Sequence, residues 1–231
     1  MTTPARFAQD AAQQVTSVVV NIGQLCTIHD PDLEGKGPRR RGDMQELGLV
    51  EGAALAFGGE QILATGPEAE VLGELFGGSD IPDTIAVIDA GGRAVIPGFV
   101  DPHTHTVFGK TRQDEYERRI KGETYLEIAA AGGGIHSSVA DTRTRDLDEL
   151  TQLTVTRLRE MQSWGTTTVE IKSGYGLTLA DEVKMLRAAR AAVEQTGIRA
   201  VLTCMAAHEI PKEYQDDRAA YVRLITEEIL P

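Results

Sequence analysis

Short runs of β-branched and aliphatic residues, each cut off by glycine or another turn-former, dominate the chain as far as residue 95: Ser17–Ile22, Leu25–Ile28, Ala53–Phe57, Gln61–Thr65, Thr84–Asp89 and Gly92–Ile96. Runs of this length and bounding predict strands, so residues 15–95 are expected to form a small β domain behind an N-terminal tail over residues 1–14. The stretch Asp30 to Gly48, rich in Gly, Pro and Arg, predicts an exposed loop.

After Pro97 the pattern changes to strands alternating with long helices, the order of a βα-repeating parallel sheet or barrel. Val95–Val100 leads into Asp101-Pro102-His103-Thr104-His105, and Glu123–Ala131 predicts a helix stopped by Gly132-Gly133-Gly134. Over Asp146–Trp164, Leu147, Leu150, Thr154, Leu158 and Met161 fall at offsets 0, 3, 7, 11 and 14, a stripe along one helix face. Thr166–Ile171 predicts a β-branched strand. Thr178, answered by Asp181, predicts a helix start, with Val183, Leu186, Ala189 and Val193 on one face and Gly197 as terminator. Arg199–Met205 predicts a further strand and Ala219–Leu230 a last helix. About three βα units are present, against the eight of a closed barrel of ~250 residues, so residues 96–231 are expected to be the first part of an incomplete barrel.

Charge narrows the partners. With 35 acidic and 23 basic residues the formal net charge is −12, which disfavours nucleic acid and gives no attraction to anionic membranes. The run Arg39-Arg40-Arg41 lacks interleaved aromatics and predicts no nucleic-acid patch. Cys26 and Cys204 lie far apart without metal-type spacing, which fits a reducing cytoplasm. Neither a secretory leader nor an apolar run approaching ~20 residues occurs, so a cytosolic protein acting on a small molecule is the expectation.

His103 and His105 stand two residues apart at a strand end, where both rings point to one side and suit zinc or another borderline divalent cation. In a parallel barrel the chemistry gathers at the C-terminal strand ends. Arg112 could there fork both oxygens of a carboxylate, although a solvated arginine beside Asp114 and Glu115 is the simpler reading by spacing alone. Tyr175, between two glycines, could present its hydroxyl to a ligand, and His208 could donate to an oxygen or take up a proton. Ordinary structural roles for both are equally consistent with the sequence. Lys172 could be a carbamylated metal bridge but reads better as a salt-bridge partner. His29 and His136 read as loop residues, and the triple glycine as a linker or a mobile flap.

Taken in order and spacing, Val95 to Arg112, Ala129-Ala130-Ala131-Gly132-Gly133-Gly134-Ile135, Gly165 to Gly176, and His208 with Glu213-Tyr214 resemble imidazolonepropionase, a family of the metal-dependent amidohydrolases. The resemblance implies an α/β fold in which a small β-sandwich domain precedes a TIM-like (β/α)8 barrel, here incomplete. It implies hydrolysis of the ring C–N bond of 4-imidazolone-5-propanoate to N-formimidoyl-L-glutamate, in histidine degradation, by metal-activated water. His103 and His105 would bind one Zn2+ or Fe2+/Fe3+ ion, Arg112 the propionate, and Tyr175 and His208 the imidazolone. The family's remaining metal ligands and its general acid and base have no counterpart before Pro231, so the chain is expected to be inactive alone. The family's enzymes are generally dimers, which makes a homodimer the expected assembly. The competing expectations are another cyclic-amide hydrolase or deaminase of the same superfamily, and a non-catalytic half-barrel that binds a partner.

Overall fold

A computed structural model describes residues 5–8, 11–29, 37–77 and 80–231, and the chain divides into two compact units, Met1–Pro97 and Gly98–Pro231.

The first unit holds β1 (Arg6–Phe7), α1 (Ala11–Gln14), β2 (Ser17–Cys26), β3 (Leu49–Gly58), β4 (Gln61–Pro67), α2 (Glu68–Phe76), β5 (Ala86–Asp89) and β6 (Ala94–Val95). These six strands form one hydrogen-bonded sheet ordered β1-β4-β3-β2-β5, with β6 also on β2. The pairs β2–β3, β3–β4 and β1–β4 are antiparallel, while β5 and β6 run parallel to β2. The two runs expected at 17–22 and 25–28 join into one strand through a bulge at Asn21, whose φ of 54° lies where asparagine is well tolerated. Its side chain donates to Asp89 at 2.8 Å. The bulge thus bends the strand without ending it.

Val18, Ala54, Ala56, Leu63, Val71 and Leu75 bury α2 against the sheet, and a second cluster gathers Ile22, Leu25, Val50 and Ala53. Part of the expected tail belongs to this unit, because Arg6 and Phe7 pair with Thr65 and Ala64, and Ala11 is buried. Residues 1–4 and 9–10 of that tail, and 30–36 of the expected loop, lie outside the described residues. Where the loop is described, Arg39 donates to the carbonyls of Ile28, at 2.8 Å, and Glu46. Its charge ties the loop to itself.

The second unit runs β7 (Phe99–Thr104), α3 (Gln113–Ile120), α4 (Tyr125–Ala130), α5 (Ile135–Thr144), α6 (Leu147–Ser163), β8 (Thr166–Lys172), α7 (Leu179–Thr196), β9 (Arg199–Thr203) and α8 (Arg218–Leu224). Its three strands are parallel and adjacent in chain order, β7-β8-β9, the opening of an incomplete (β/α)8 barrel. Leu150, Leu158, Val169, Ile171, Met185, Ala188 and Ala192 pack α6 and α7 on this sheet. Phe99, Val100 and Val201 on the outer strands remain exposed, as expected of an open sheet.

Thr178 caps α7 by accepting from the Asp181 amide at 3.1 Å, and Gly197 ends it at φ 68°. The buried face of α7 differs from the expected one: Glu182, Met185, Ala188, Ala189 and Ala192 face inward, while Val183 and Leu186 are only partly covered. Small alanines let α7 approach α6 closely, and Glu182 has a polar reason to be inside. Helices α3 and α5 fall where no stripe was legible. The last helix is shorter than expected, since α8 gives way to a π turn at Ile225–Ile229.

Candidate functional site at the strand ends

The end of β7 is shaped by Pro102, which has no amide to give its neighbour, and by a register shift against β8 between Asp101 and Thr104. The Thr104 hydroxyl repairs the edge by donating to the Glu170 carbonyl at 2.6 Å. His103 and His105 flank that anchor, with rings 6.0 Å apart and inclined at 66°. His103 is exposed and His105 half-buried.

The loops after β8 and β9 meet these histidines. His105 stacks on Tyr175 at 4.9 Å and on His208 at 4.7 Å, and Tyr175 lies 5.8 Å from His208. Three of the residues singled out from sequence are therefore one ring cluster. Burial, then repulsion by His208 and His103, pushes His105 down to about 4, and burial pushes the Tyr175 phenol up.

Arg112 stands at the N-terminus of α3, with its side chain 38% exposed and, among the described residues, only a long 3.9 Å approach to Glu115. It lines a cavity of about 170 Å³ together with His105, Phe108, Thr111, Ser138 and Tyr175. A guanidinium with spare donors and two aromatic groups in one concavity can hold a small anionic heterocycle.

Lys172 forms an ion pair with Glu170 at 2.5 Å, and Glu170 also accepts from Thr203 at 2.7 Å. These bonds, first that from Lys172, hold the Glu170 carboxyl below the usual range. The triple glycine is a tied corner, with the Gly134 amide donating to Glu115 at 2.9 Å. His29 lies in the first unit and His136 on α5, neither within the ring cluster.

Imidazole nitrogens are the right donors for zinc or iron, and the buried Nδ1 of His105 has no hydrogen-bond partner among the described residues. Among the described residues no group of three or more His, Cys, Asp or Glu side chains comes together to hold an ion. The two histidines fit as part of a ligand set that needs completing, since a catalytic zinc takes three protein ligands.

Two supporting residues escaped the sequence reading. Arg157 on α6 donates to the carbonyls of Thr106 at 2.9 Å, Phe108 at 2.6 Å and Gly109 at 2.9 Å, and stacks over the Phe108 ring. It pins the segment joining His105 to Arg112. Glu182 accepts three amides of the Tyr175 loop. Its signal was present: Gly174-Tyr175-Gly176-Leu177 brings bare amides that need an acceptor, and a carboxylate follows within a turn.

The model of the amidohydrolase family matches residues 86–134. The imidazolonepropionase of Symbiobacterium thermophilum is 49% identical over 217 residues, 94% of this chain and 49% of that protein. That of Solibacter usitatus is 43% identical over 93% of this chain and 49% of its own length. The chain thus spans about half the length of the curated relatives it matches. Among solved structures, an atrazine chlorohydrolase from Arthrobacter aurescens TC1, complexed with zinc, is 17% identical with a TM-score of 0.46, over 81% of this chain and 35% of that one.

Proposed function

By sequence the chain belongs to the imidazolonepropionase family, of which it spans about half the length, and from that premise we propose that it carries the substrate-recognition end of that enzyme's active site. The reaction is hydrolysis of the ring C–N bond of 4-imidazolone-5-propanoate, giving N-formimidoyl-L-glutamate. The observation that carries this reading is the convergence of His105, Tyr175 and His208 beside a cavity that Arg112 also lines.

Arg112 forks the propionate carboxylate, which fixes the ring's direction in the cavity. Tyr175 lies against the ring and offers its hydroxyl, kept protonated by burial. His208 donates to the ring oxygen as negative charge develops there. His103 and His105 would hold the ion, His105 as a neutral donor. A zinc or iron ion held there would make water acidic enough to supply hydroxide near neutral pH and would act as a Lewis acid. Among the described residues no group of three or more His, Cys, Asp or Glu side chains comes together, so these residues do not by themselves complete the metal site that this reading requires.

The same reading assigns the protein to histidine breakdown as a cytoplasmic homodimer. Free Cys26 and Cys204 and the acidic charge are in keeping with the compartment. Among the described residues no helix is long and apolar enough to cross a membrane.

The test compares the chain with a chimera completed by the remaining half of the Symbiobacterium thermophilum relative, measuring zinc and iron content and loss of imidazolonepropionate. Metal uptake and turnover in the chimera alone are expected. A chimera that is folded and metal-loaded yet attacks only other cyclic amides would transfer the assignment to that substrate class.

A further inference from the structure

We infer that Glu182 is a positioning residue that sets Tyr175 and His208 as one unit, a role that rests on the proposed function only for what those two side chains hold. Its side chain is 1% exposed, and no lysine or arginine among the described residues pairs with it. A buried carboxylate without a cation is costly unless hydrogen bonds replace its water. Here one oxygen accepts from the Gly176 amide at 2.9 Å and the Leu177 amide at 2.7 Å, and the other from Gly174 at 3.0 Å. The first turn of α7, which carries Glu182, adds the favourable end of the helix dipole.

What this carboxylate holds is a loop in a conformation it would not adopt unaided. Leu177 sits at φ 56° and Gly174 at φ 109°, the first a rare region for a residue with a β-carbon. Gly174 in turn presses on the neighbouring loop: a β-carbon placed there would come within 2.9 Å of both the His208 β-carbon and the Met205 carbonyl. The Ser173 hydroxyl accepts from the Met205 amide at 2.9 Å, which ties the two loops again. From the other side Arg143 donates to the Gly176 carbonyl at 2.7 Å and pairs with Glu213 at 2.8 Å. Glu182 thus acts on Tyr175 and His208 through the backbone of residues 174–177.

The experiment replaces Glu182 with Gln, which keeps the shape but exchanges one accepting oxygen for a donor, and with Asp, which keeps the charge one methylene short. Amide hydrogen exchange is followed residue by residue, with binding of 3-(imidazol-4-yl)propanoate as an unreactive probe, in the chain and in the completed chimera. In E182Q, exchange at Gly174, Gly176, Leu177 and across 205–208 is expected to rise about tenfold or more, with α6 unchanged and probe binding about tenfold weaker. E182D is expected to recover part of both effects, and it decides the matter in the same way if E182Q does not fold. Unchanged exchange in the two loops, or an equal rise throughout α6, would overturn the inference. If the unaltered protein fails to bind the probe while the exchange pattern holds, the functional reading falls and the positioning role stands.

Discussion

The imidazoles of His105 and His208, one at the end of β7 and the other after β9, lie 19° from parallel with centroids 4.7 Å apart. Only one of the two is expected to hold the ion. His105 stands beside His103 and is kept neutral by burial first and by its histidine neighbours next, which leaves a lone pair free near neutral pH. In the completed chimera, H103A and H105A should each abolish uptake of about one ion per chain, while H208A should keep it. H208A should instead weaken probe binding. Elemental analysis and calorimetry of the three variants separate these outcomes, and loss of metal in H208A would place His208 among the ligands.

Arg112 has donors to spare, because among the described residues its only ion-pair approach is the long one to Glu115. R112K keeps the charge and loses the fork, so the probe should bind roughly tenfold to a hundredfold more weakly, as for a lost charge-assisted hydrogen bond. Metal content should not change, and in the active chimera KM should rise with kcat nearly constant. Plain imidazole, which lacks the propionate, should bind R112K and the unaltered protein alike. A difference with plain imidazole would remove Arg112 from carboxylate recognition.

Arg157 satisfies three carbonyls of the segment that leads from His105 to Arg112. Burial, with no carboxylate partner among the described residues, lowers its pKa to about 10, so its charge is held for geometry at some cost. R157M should leave those carbonyls unpaired and destabilise the second unit by about 2 kcal/mol or more in urea unfolding. R157K reaches fewer acceptors and should fall between. Loosening should centre on residues 106–112 in amide exchange, and a stability loss with those amides unaffected would assign Arg157 a packing role only.

What could be read from sequence followed the strength of the local rule. The stripe through Leu150, Thr154 and Leu158 and the Thr178 cap were legible because helix periodicity and capping act within a few residues. The closeness of His103 and His105 was legible because one residue separates them. The inward face of α7 was not, since Glu182 reads as a solvent-facing charge until the bare amides of residues 174–177 are placed against it. The merging of two strand runs at Asn21 depended on a side-chain bond to Asp89, 68 residues away. Arg157 was hidden for the same reason, as its partners are carbonyls 48 to 51 residues distant.

Tyr221 offers a pH test that does not involve the ring cluster. It is 2% exposed, and its hydroxyl donates to the Ala206 carbonyl at 2.7 Å, holding the turn that carries His208. Burial, with the Glu182 charge second, raises its pKa well above the ordinary value. The folded state therefore keeps this proton where the unfolded chain, with a pKa of about 10, has lost it. Stability from this group is complete below pH about 10 and is lost as the pH rises toward the folded value. The difference in tyrosinate absorbance between the unaltered protein and Y221F should show Tyr221 ionising only as the second unit unfolds. Y221F should flatten the alkaline loss of stability while costing about 1–2 kcal/mol at neutral pH, because the Ala206 carbonyl is left without its donor. An alkaline unfolding curve identical in Y221F and the unaltered protein would mean that another buried group sets the transition.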